Sequence, residues 1–368
     1  SHPVEITTMR IDGSYSDSRH PESVSFTKKI EEDLSRRDFT VNAMAYSPET
    51  GLVDPFGGRL DAERKIIRCV GNPDKRFHED ALRILRAIRF ASVLGLGIEE
   101  ETAASIIKNR CLLNDISKER IRAELIKLLC GQNVEKVLLE FKQVIFEIIP
   151  ELQATDGFLQ HTPYHIYDVW THIAKVTSSI ESTSDLRVAA LLHDIEKPSM
   201  FRLDEKGVGH FKGHTQKGAQ TAEEILRRLR FSNAEIKHIA TIIYLHDERP
   251  DGNRHHLTKL CAKFGIDNVD DTMKLIIADA HGKNPSVIEK EIQAVENAQK
   301  QISEMRAENA CLSIHALDIN GNDIMALGID RTQIKDTLDY LLDSVIDEKT
   351  ENKKAALEKA AVNYINKK

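Results

Sequence analysis

The chain has 368 residues, of which 30% are charged and 41% hydrophobic, and its formal net charge is −7. This length suggests two to four domains, and the charge of the whole chain gives no indication of nucleic-acid binding. Aromatic residues make up only 5%, with 10 Pro and 18 Gly, which argues against a β-rich, collagen-like or low-complexity protein. Ten of the 15 histidines lie between His161 and His256, and this clustering is the first indication of a functional site.

The sequence carries no sign of a membrane or secreted protein. No apolar run approaches the roughly 18 residues of a membrane span, and the N-terminal residues SHPVEITTMR lack the layout of a secretory signal. An odd, dispersed set of cysteines is typical of buried, reduced thiols. That set is Cys69, Cys111, Cys130, Cys261 and Cys311. We therefore expect a cytoplasmic protein with no membrane partner.

In chain order, the first 60 residues combine short strand patterns with loops and one short helix. From about residue 76, apolar residues recur at helical spacing, and this helix is predicted to end at Leu94-Gly95. Pro150 marks a boundary, a second helical region runs from Pro163 to Gly282, and a long polar helix follows Pro285. The pattern predicts an α+β fold that is mostly α-helical.

Charge differs between the two halves of the chain. Residues 1–150 contain 23 Lys and Arg against 24 Asp and Glu, a net charge of −1, whereas residues 151–368 contain 28 against 34, a net charge of −6. A surface that binds nucleic acid is therefore expected in the first half, as a local basic groove whose binding weakens with salt.

A stripe of arginines follows one side of the first predicted helix. Arg83, Arg86 and Arg89 recur every three residues after Glu79 and Asp80. Three adjacent guanidinium groups require an anion opposite them, and a triphosphate matches their fork geometry. Carboxylates of a neighbouring element are the alternative partners.

Three ordered motifs extend this pattern. They are R-R-D-F-T-x-N-A at residues 36–43, D-P-F-G-G at 54–58 and R-F-x-E-D-x-L-R-x-L-R-A-x-R-F at 76–90. Over roughly residues 3–140 the chain resembles the family of class II tRNA nucleotidyltransferases and bacterial poly(A) polymerases. The resemblance implies a polymerase-β-like palm sheet followed by a helical neck.

The resemblance also implies roles for individual residues. Arg37 would contact the phosphates or ribose of the incoming nucleotide, and Asp38 would lie near the ribose. Asp80 and Arg83 would read the base of ATP or CTP, while Arg86 and Arg89 would hold the triphosphate. An RNA 3′-hydroxyl would then attack the α-phosphorus, assisted by two Mg²⁺ ions.

One part of the family pattern is missing. The family places an Asp-x-Asp metal pair before these motifs, and no Asp-x-Asp occurs in the 368 residues. Glu5 is the candidate third carboxylate, and an ordinary strand glutamate is the alternative interpretation. We expect that a first segment is absent from this chain.

The 368-residue chain is therefore predicted not to incorporate labelled ATP or CTP into tRNA, because a single carboxylate cannot assemble a two-metal site. Incorporation of label above that of a protein-free control would contradict this prediction.

A second set of polar residues lies in apolar helical segments of the histidine-rich region. Burying imidazole or carboxylate groups there is costly unless they are paired or bind a metal. Over about residues 160–282 the pattern resembles the HD phosphohydrolase domain. The metal ligands that this resemblance implies are His172, His193, Asp194 and Asp279, with His214 and His246 as auxiliary ligands.

The same resemblance bears on neighbouring residues. Lys197 matches a family position that could contact a substrate phosphate, whereas Glu196 stands where the family usually has glycine. His165 competes with His172 as first ligand, and the role of His161 is less defined. The metal would be Mg²⁺, Mn²⁺, Ni²⁺ or Co²⁺, and its bound water would attack a phosphoester.

Together these observations predict a palm remnant at 1–62, a nucleotide-recognising and RNA-binding neck at 63–150, an HD domain at 151–282 and a helical tail at 283–368. The predicted function is addition of CCA or A to tRNA or other RNA 3′ ends from CTP and ATP. The alternatives are a bacterial poly(A) polymerase, a metal-dependent phosphohydrolase with an RNA-binding remnant, and an inert RNA-binding fragment. The tail is expected to hold the tRNA body or to form a homodimer.

Overall fold

The computed structural model describes residues 6–13, 23–285 and 288–366. Helices predominate there, and the strands are short, which confirms the prediction of a mostly helical α+β fold. The chain divides into two compact units, Ser1–Ala240 and Thr241–Lys368.

The first unit contains all the strands of the described residues, in four two-stranded pieces. Three of the four pairs are antiparallel, and the remaining pair, β5 with β6, is parallel. The strands are β1 (Arg10–Asp12), β2 (Val24–Phe26), β3 (Ala45–Ser47), β4 (Gly51–Val53), β5 (Ile66–Ile67), β6 (Gly97–Ile98), β7 (Arg202–Leu203) and β8 (Gly209–His210). The β7–β8 hairpin interrupts a region that the sequence predicts to be helical.

The helices of the first unit begin in the predicted palm region and continue through the histidine-rich region. They are α1 (Ile30–Ser35), α2 (Gly58–Glu63), α3 (Pro73–Glu79), α4 (Leu82–Leu94), α5 (Glu100–Asn109), α6 (Lys118–Leu129), α7 (Val134–Glu140), α8 (Lys142–Ile148), α9 (Val169–Ser179), α10 (Ser184–Leu192), α11 (Lys197–Met200) and α12 (His214–Arg228). Helix α13 (Asn233–Leu245) contains the residue at which the two units divide.

The second unit is helical throughout its described residues. Its helices are α14 (Arg254–Phe264), α15 (Ile266–His281), α16 (Glu289–Ala307), α17 (Gly321–Ala326), α18 (Ile334–Ile346) and α19 (Lys354–Ile365). One hydrophobic cluster includes Met273 and Ile302, and another includes Leu341 and Leu357. The predicted polar helix after Pro285 is α16, which buries one face and exposes the other.

Short 3₁₀ helices connect several of these elements. They span Thr40–Asn42, Arg110–Asp115, Pro150–Thr155, Ile314–Ala316 and Arg331–Gln333.

Helix α4 packs against α6 and α7 through a fully buried apolar face that includes Leu85 and Ile88. The helix ends as predicted at Leu94, because Gly95 adopts a left-handed conformation with φ 67°. Helix α4 and its end are therefore confirmed, but the predicted helix does not run through from residue 76. Helix α3 ends at Glu79, and Asp80 adopts an extended conformation and accepts a hydrogen bond from the Leu82 amide at 3.2 Å, so a new helix begins at Leu82.

The first two motifs pack directly against each other. The backbone of Asp38 and Thr40 pairs with Val70 and Arg68, at N–O distances of 3.1 and 2.9 Å. Gly58 begins α2 where a Cβ atom would lie only 2.1 Å from the carbonyl oxygen of Thr40, so no larger residue fits without a shift. The close contact explains the glycine and fixes the segment that carries Asp38.

The five cysteines are all free thiols. Burial raises the pKa of the Cys69 thiol to about 12 and that of Cys261 to about 11, so both remain protonated at neutral pH. Cys111 is exposed, and Cys130 and Cys311 are partly buried. The expectation of uniformly buried thiols is therefore wrong for these three, because dispersion along the sequence does not report burial.

Candidate nucleotide site and candidate metal centre

The two arginines of the R-R-D motif share one buried carboxylate. Asp33 of α1 lies 2.7 Å from Nη2 of Arg36 through Oδ1 and 3.3 Å from Nη2 of Arg37 through Oδ2. Burial opposes ionisation of Asp33, but hydrogen bonds from Arg36 and from the Arg10 backbone amide outweigh it and lower the pKa of this carboxyl group. Arg37 keeps 43% of its side chain exposed and therefore remains accessible to a ligand.

Asp38 and Arg86 are brought together from positions 48 residues apart. Oδ2 of Asp38 accepts hydrogen bonds from Nε of Arg86 at 2.8 Å and from Nη2 at 2.6 Å. Oδ1 of the same carboxylate accepts from the Phe39 amide at 2.9 Å and from Asn42 Nδ2 at 3.3 Å. Arg86 is 34% exposed, so this charge-assisted pair lies at a surface where a nucleotide phosphate could compete for the guanidinium group.

The other two arginines of the stripe also have carboxylate partners. Arg83 Nη1 lies 2.8 Å from Glu79 Oε2, and Arg89 Nε lies 2.7 Å from Glu124 Oε2. Their side chains are only 11% and 16% exposed. In this structure, neighbouring carboxylates neutralise the arginine stripe, which is the alternative that the sequence left open.

Asp80, the second predicted base-reading residue, pairs with an arginine that sequence reasoning missed. Oδ2 of Asp80 lies 3.3 Å from Nη2 of Arg120 on α6. The same helix supplies Glu124, one turn later, to Arg89. The only signal for these partners is the i, i+4 spacing of Arg120 and Glu124, which places them on one face of α6.

The predicted nucleotide-binding residues thus form a charged network, within which Asp38 and Arg86 contact each other directly. The network can bind an anion at its exposed members, Arg37 and Arg86, because guanidinium groups exchange carboxylate for phosphate oxygens. Glu5, the predicted catalytic carboxylate, lies outside the described residues.

The histidine-rich region places three predicted ligands beside one another at the ends of α9 and α10. His172, His193 and Asp194 are fully buried. Oδ2 of Asp194 lies 3.4 Å from Nε2 of His172 and 3.1 Å from Nε2 of His193. His214, the first residue of α12, approaches the other oxygen, with 3.5 Å between Nε2 and Oδ1 of Asp194. Four predicted ligands therefore converge within the first unit.

In three of the predicted histidine ligands, the ring nitrogen Nδ1 contacts a backbone carbonyl oxygen. In each, Nδ1 lies within hydrogen-bond distance of the carbonyl oxygen three residues earlier in the chain, at 2.8 Å for His193, 2.9 Å for His214 and 2.6 Å for His246. A neutral imidazole that donates through Nδ1 carries its lone pair on Nε2. The pattern is therefore the one that orients histidines as metal ligands.

This donor set fits a divalent cation. Nε2 of His193 and Oδ2 of Asp194 lie 3.1 Å apart, so an imidazole nitrogen and a carboxylate oxygen face the same buried space. One ligand atom each from His172, His193 and Asp194 lies within 4.8 Å of the others. Imidazole nitrogen and carboxylate oxygen suit first-row divalent metals and, with water, Mg²⁺.

Lys197 supplies a positive charge to the same carboxylate. Its Nζ lies 2.7 Å from Oδ2 of Asp194 and donates to Oε1 of Gln160 at 3.0 Å. Burial alone would raise the pKa of Asp194, but His193 and Lys197, together with a hydrogen bond from His172, hold it well below its ordinary value. Asp194 is therefore ionised at neutral pH, as a metal ligand must be.

Glu196, the departure from the family pattern, has partners of its own. Its carboxylate lies 3.0 Å from Lys217 Nζ and accepts a hydrogen bond from Thr221 Oγ1 at 2.6 Å, with a further bond from Ser199. Burial opposes ionisation of Glu196, but these bonds outweigh it and lower its pKa. The ion pair with Lys217 therefore offsets the negative charge of Glu196.

The two uncertain histidines differ in position. The ring of His165 packs against that of His172, with centroids 5.3 Å apart, and its Nε2 lies 3.4 Å from Lys197 Nζ. His161 instead stacks near Phe201, with centroids 5.8 Å apart. His165 therefore lies next to the metal ligands, whereas His161 lines an aromatic cluster.

The remaining predicted ligands, His246 and Asp279, belong to the second unit, and both are buried. Oδ2 of Asp279 lies 2.6 Å from Nζ of Lys283. Burial opposes protonation of Lys283, but the charges of Asp279 and Glu291 outweigh it and raise its pKa. Asp279 is therefore next to a cation, and the assignment of these two residues to the metal set remains a prediction.

Family models match three successive segments of the chain. Residues 1–68 match the family model of the poly A polymerase head domain, and residues 95–155 match a probable RNA and SrmB-binding site of polymerase A. Residues 163–298 match the HD domain, a span that includes all six predicted metal ligands.

Curated relatives point in the same direction. The chain is 48% identical over 151 residues to a CCA-adding enzyme of Geobacillus kaustophilus, and this aligned segment covers 41% of this chain and 37% of that enzyme. It is 47% identical over 156 residues to a CCA-adding enzyme of Bacillus velezensis, which covers 42% and 39%. The matched segment is therefore less than two fifths of the length of the G. kaustophilus and B. velezensis enzymes.

Solved structures share the fold. The crystal structure of the Bacillus stearothermophilus CCA-adding enzyme in complex with CTP superimposes with a TM-score of 0.71 at 24% identity, covering 98% of this chain and 78% of that one. Another CCA-adding enzyme, in complex with CTP, gives a TM-score of 0.53 at 22% identity, covering 91% and 72%. These structures show the fold, and the matches to the poly A polymerase head domain, to the RNA and SrmB-binding site and to the HD domain confirm the predicted family resemblance.

Across the described residues, every helix is too short or too polar to span a membrane.

Proposed function

We propose that this chain binds the nucleotide and the RNA in the addition of CCA, or of A alone, to the 3′ ends of tRNA from CTP and ATP. The supporting observation is the pairing of Asp38 with Arg86, which joins the R-R-D motif to the arginine stripe of α4. The resemblance to CCA-adding enzymes favours this reaction over poly(A) synthesis.

In this proposal, the chain's own residues select and hold the nucleotide. Arg37 and Arg86 contact the triphosphate through their exposed guanidinium groups, and Asp38 lies toward the ribose. Arg89, which is less exposed, supports the triphosphate side of the network. Asp80 and Arg83 read the base, a role in which a bound base would replace Arg120 as the partner of Asp80.

The magnesium chemistry of nucleotidyl transfer has no complete donor set in this sequence. An Asp-x-Asp pair does not occur among the 368 residues, and the carboxylate of Asp38 is bonded to Arg86. The residues present therefore do not make up a two-magnesium site, and we derive no step through one. Glu5 remains the proposed third carboxylate.

The HD region is proposed to be a metal-dependent phosphohydrolase. His172, His193, Asp194 and His214, with His246 and Asp279, would hold Mg²⁺, Mn²⁺, Ni²⁺ or Co²⁺. A bound metal would activate water for attack on a phosphoester. Lys197 holds Asp194 in its ionised state and would attract the substrate phosphate. The convergence of buried imidazoles on Asp194 supports this second function.

The division into palm at 1–62, neck at 63–150, HD domain at 151–282 and tail at 283–368 also remains our proposal. RNA would contact the neck, and the tail would hold the tRNA body or form a homodimer. We place the protein in the cytoplasm.

Calorimetric titration of the chain with each of the four nucleoside triphosphates, in Mg²⁺, tests the leading proposal. CTP and ATP are expected to bind at least about tenfold more tightly than GTP and UTP, because hydrogen-bonding groups such as Asp80 and Arg83 reject bases that leave them unpaired. Binding of ATP alone would indicate A addition or poly(A) synthesis. Equal binding of all four, or no binding, would contradict the proposal.

A further inference from the structure

Two arginines of the neck cap the C-terminus of α1. Nη1 of Arg76 donates to the carbonyl oxygen of Ser35 at 3.2 Å, and Nη2 of Arg83 donates to that of Arg36 at 3.0 Å. The last carbonyl groups of a helix have no partner within the helix, and positive charge is favourable at that end. The contacts therefore anchor the end of α1, which leads directly into Arg37 and Asp38.

Glu79 holds the two capping arginines together. Its Oε2 lies 3.0 Å from Nη1 of Arg76 and 2.8 Å from Nη1 of Arg83. Arg83 Nη1 also donates to the carbonyl oxygen of Arg76 at 3.2 Å. The side chains of Arg76 and Glu79 are each only 13% exposed, so this cluster is shielded from solvent and from salt.

The cap also lies on the path between the two predicted halves of the nucleotide site. α1 contributes Asp33, whose carboxylate pairs with Arg37. The next residue, Asp38, pairs with Arg86 of α4. A displacement of the end of α1 would therefore move Arg37 and Asp38 relative to Arg86.

We propose that Arg76 is a positioning residue for nucleotide binding, acting through the Ser35 carbonyl and Glu79 rather than by touching the nucleotide. Its planar guanidinium group donates to both partners through Nη1. A lysine would keep the charge, but its flexible ammonium group is not held in a fixed plane as the guanidinium group is. The proposal rests on the proposed nucleotide-binding function of Arg37, Asp38 and Arg86.

The test is a double-mutant cycle on CTP binding by the full chain, in Mg²⁺. Arg76→Lys is expected to weaken CTP binding by about tenfold in the wild-type background. In an Arg86→Lys background the same substitution should weaken it by less than about threefold, because the effects of substitutions within one network do not add. Arg227→Lys, an exposed arginine of α12 paired with Glu223, is the matched control and should leave CTP binding unchanged.

Two further measurements separate positioning from general destabilisation. The melting temperature and the metal content of the HD region should be the same in Arg76→Lys as in the wild type. Equal fold-changes in both backgrounds, or no change in CTP binding, would overturn the positioning role. If the wild-type chain itself failed to bind CTP and ATP, the proposed function would fail instead, so the two failures are distinguishable.

Discussion

Replacing Arg86 by alanine is expected to weaken the binding of CTP and ATP by about ten- to a hundredfold. Removal of a charge-assisted hydrogen-bonding group costs about 1.5–3 kcal/mol when the partner is a phosphate, which corresponds to this range. Arg86 is the stripe residue that combines exposure with direct contact to the R-R-D motif. Calorimetric titration of wild type and variant measures the change.

The substitution also leaves Asp38, which is only 8% exposed, without its cationic partner. A lower melting temperature is therefore expected for Arg86→Ala. Arg86→Lys separates loss of nucleotide binding from loss of stability, because lysine keeps the positive charge beside Asp38 but lacks the paired donors of the guanidinium group. Arg227→Ala removes an exposed, ion-paired arginine elsewhere and should change neither property. Unchanged nucleotide affinity in both Arg86 variants would remove this residue from the proposed triphosphate site.

Replacing His193 by alanine is expected to abolish metal binding by the HD region and to lower phosphodiester hydrolysis by about a hundredfold or more. Loss of an outer partner alone typically costs ten- to a hundredfold in metal affinity or activity, and His193 is a proposed direct ligand. Elemental analysis of the purified chain and hydrolysis of bis(p-nitrophenyl) phosphate report the two effects separately.

His210→Ala is the matched control for His193→Ala. His210 is exposed and pairs with Asp204, at 3.1 Å between Nε2 and Oδ2, on the β7–β8 hairpin. It should retain both metal and activity. If the wild type and His193→Ala carried the same metal and hydrolysed the diester at the same rate, the phosphohydrolase proposal would fail and an inert RNA-binding role would remain.

Sequence patterns predicted the elements well where local chemistry decides them. Helix α4 follows from apolar spacing and its end from Gly95, because both depend on neighbouring residues alone. The β7–β8 hairpin was missed because its strands contain only two residues each, too few to show an alternating pattern.

In the candidate sites, too, contacts between residues close in sequence were predictable, whereas contacts between distant residues were not. Spacing predicted the arginine stripe, yet it could not reveal that Glu124 pairs with Arg89 or that Arg120 pairs with Asp80, because these partners lie more than 30 residues away. The family resemblance, by contrast, implied that Asp38 and Arg86 face one nucleotide, and the structure places the two side chains in contact. The adjacent pair His193-Asp194 predicted the centre on which His172 and His214 converge.

The most direct test of the account is a crystal structure of the chain with CTP and Mg²⁺. The predicted result is CTP bound between the Arg37–Asp38 segment and α4, with its triphosphate on Arg37 and Arg86 and its base beside Asp80 and Arg83. CTP bound elsewhere on the chain, with the Asp38–Arg86 pair intact and no nucleotide beside it, would contradict the account.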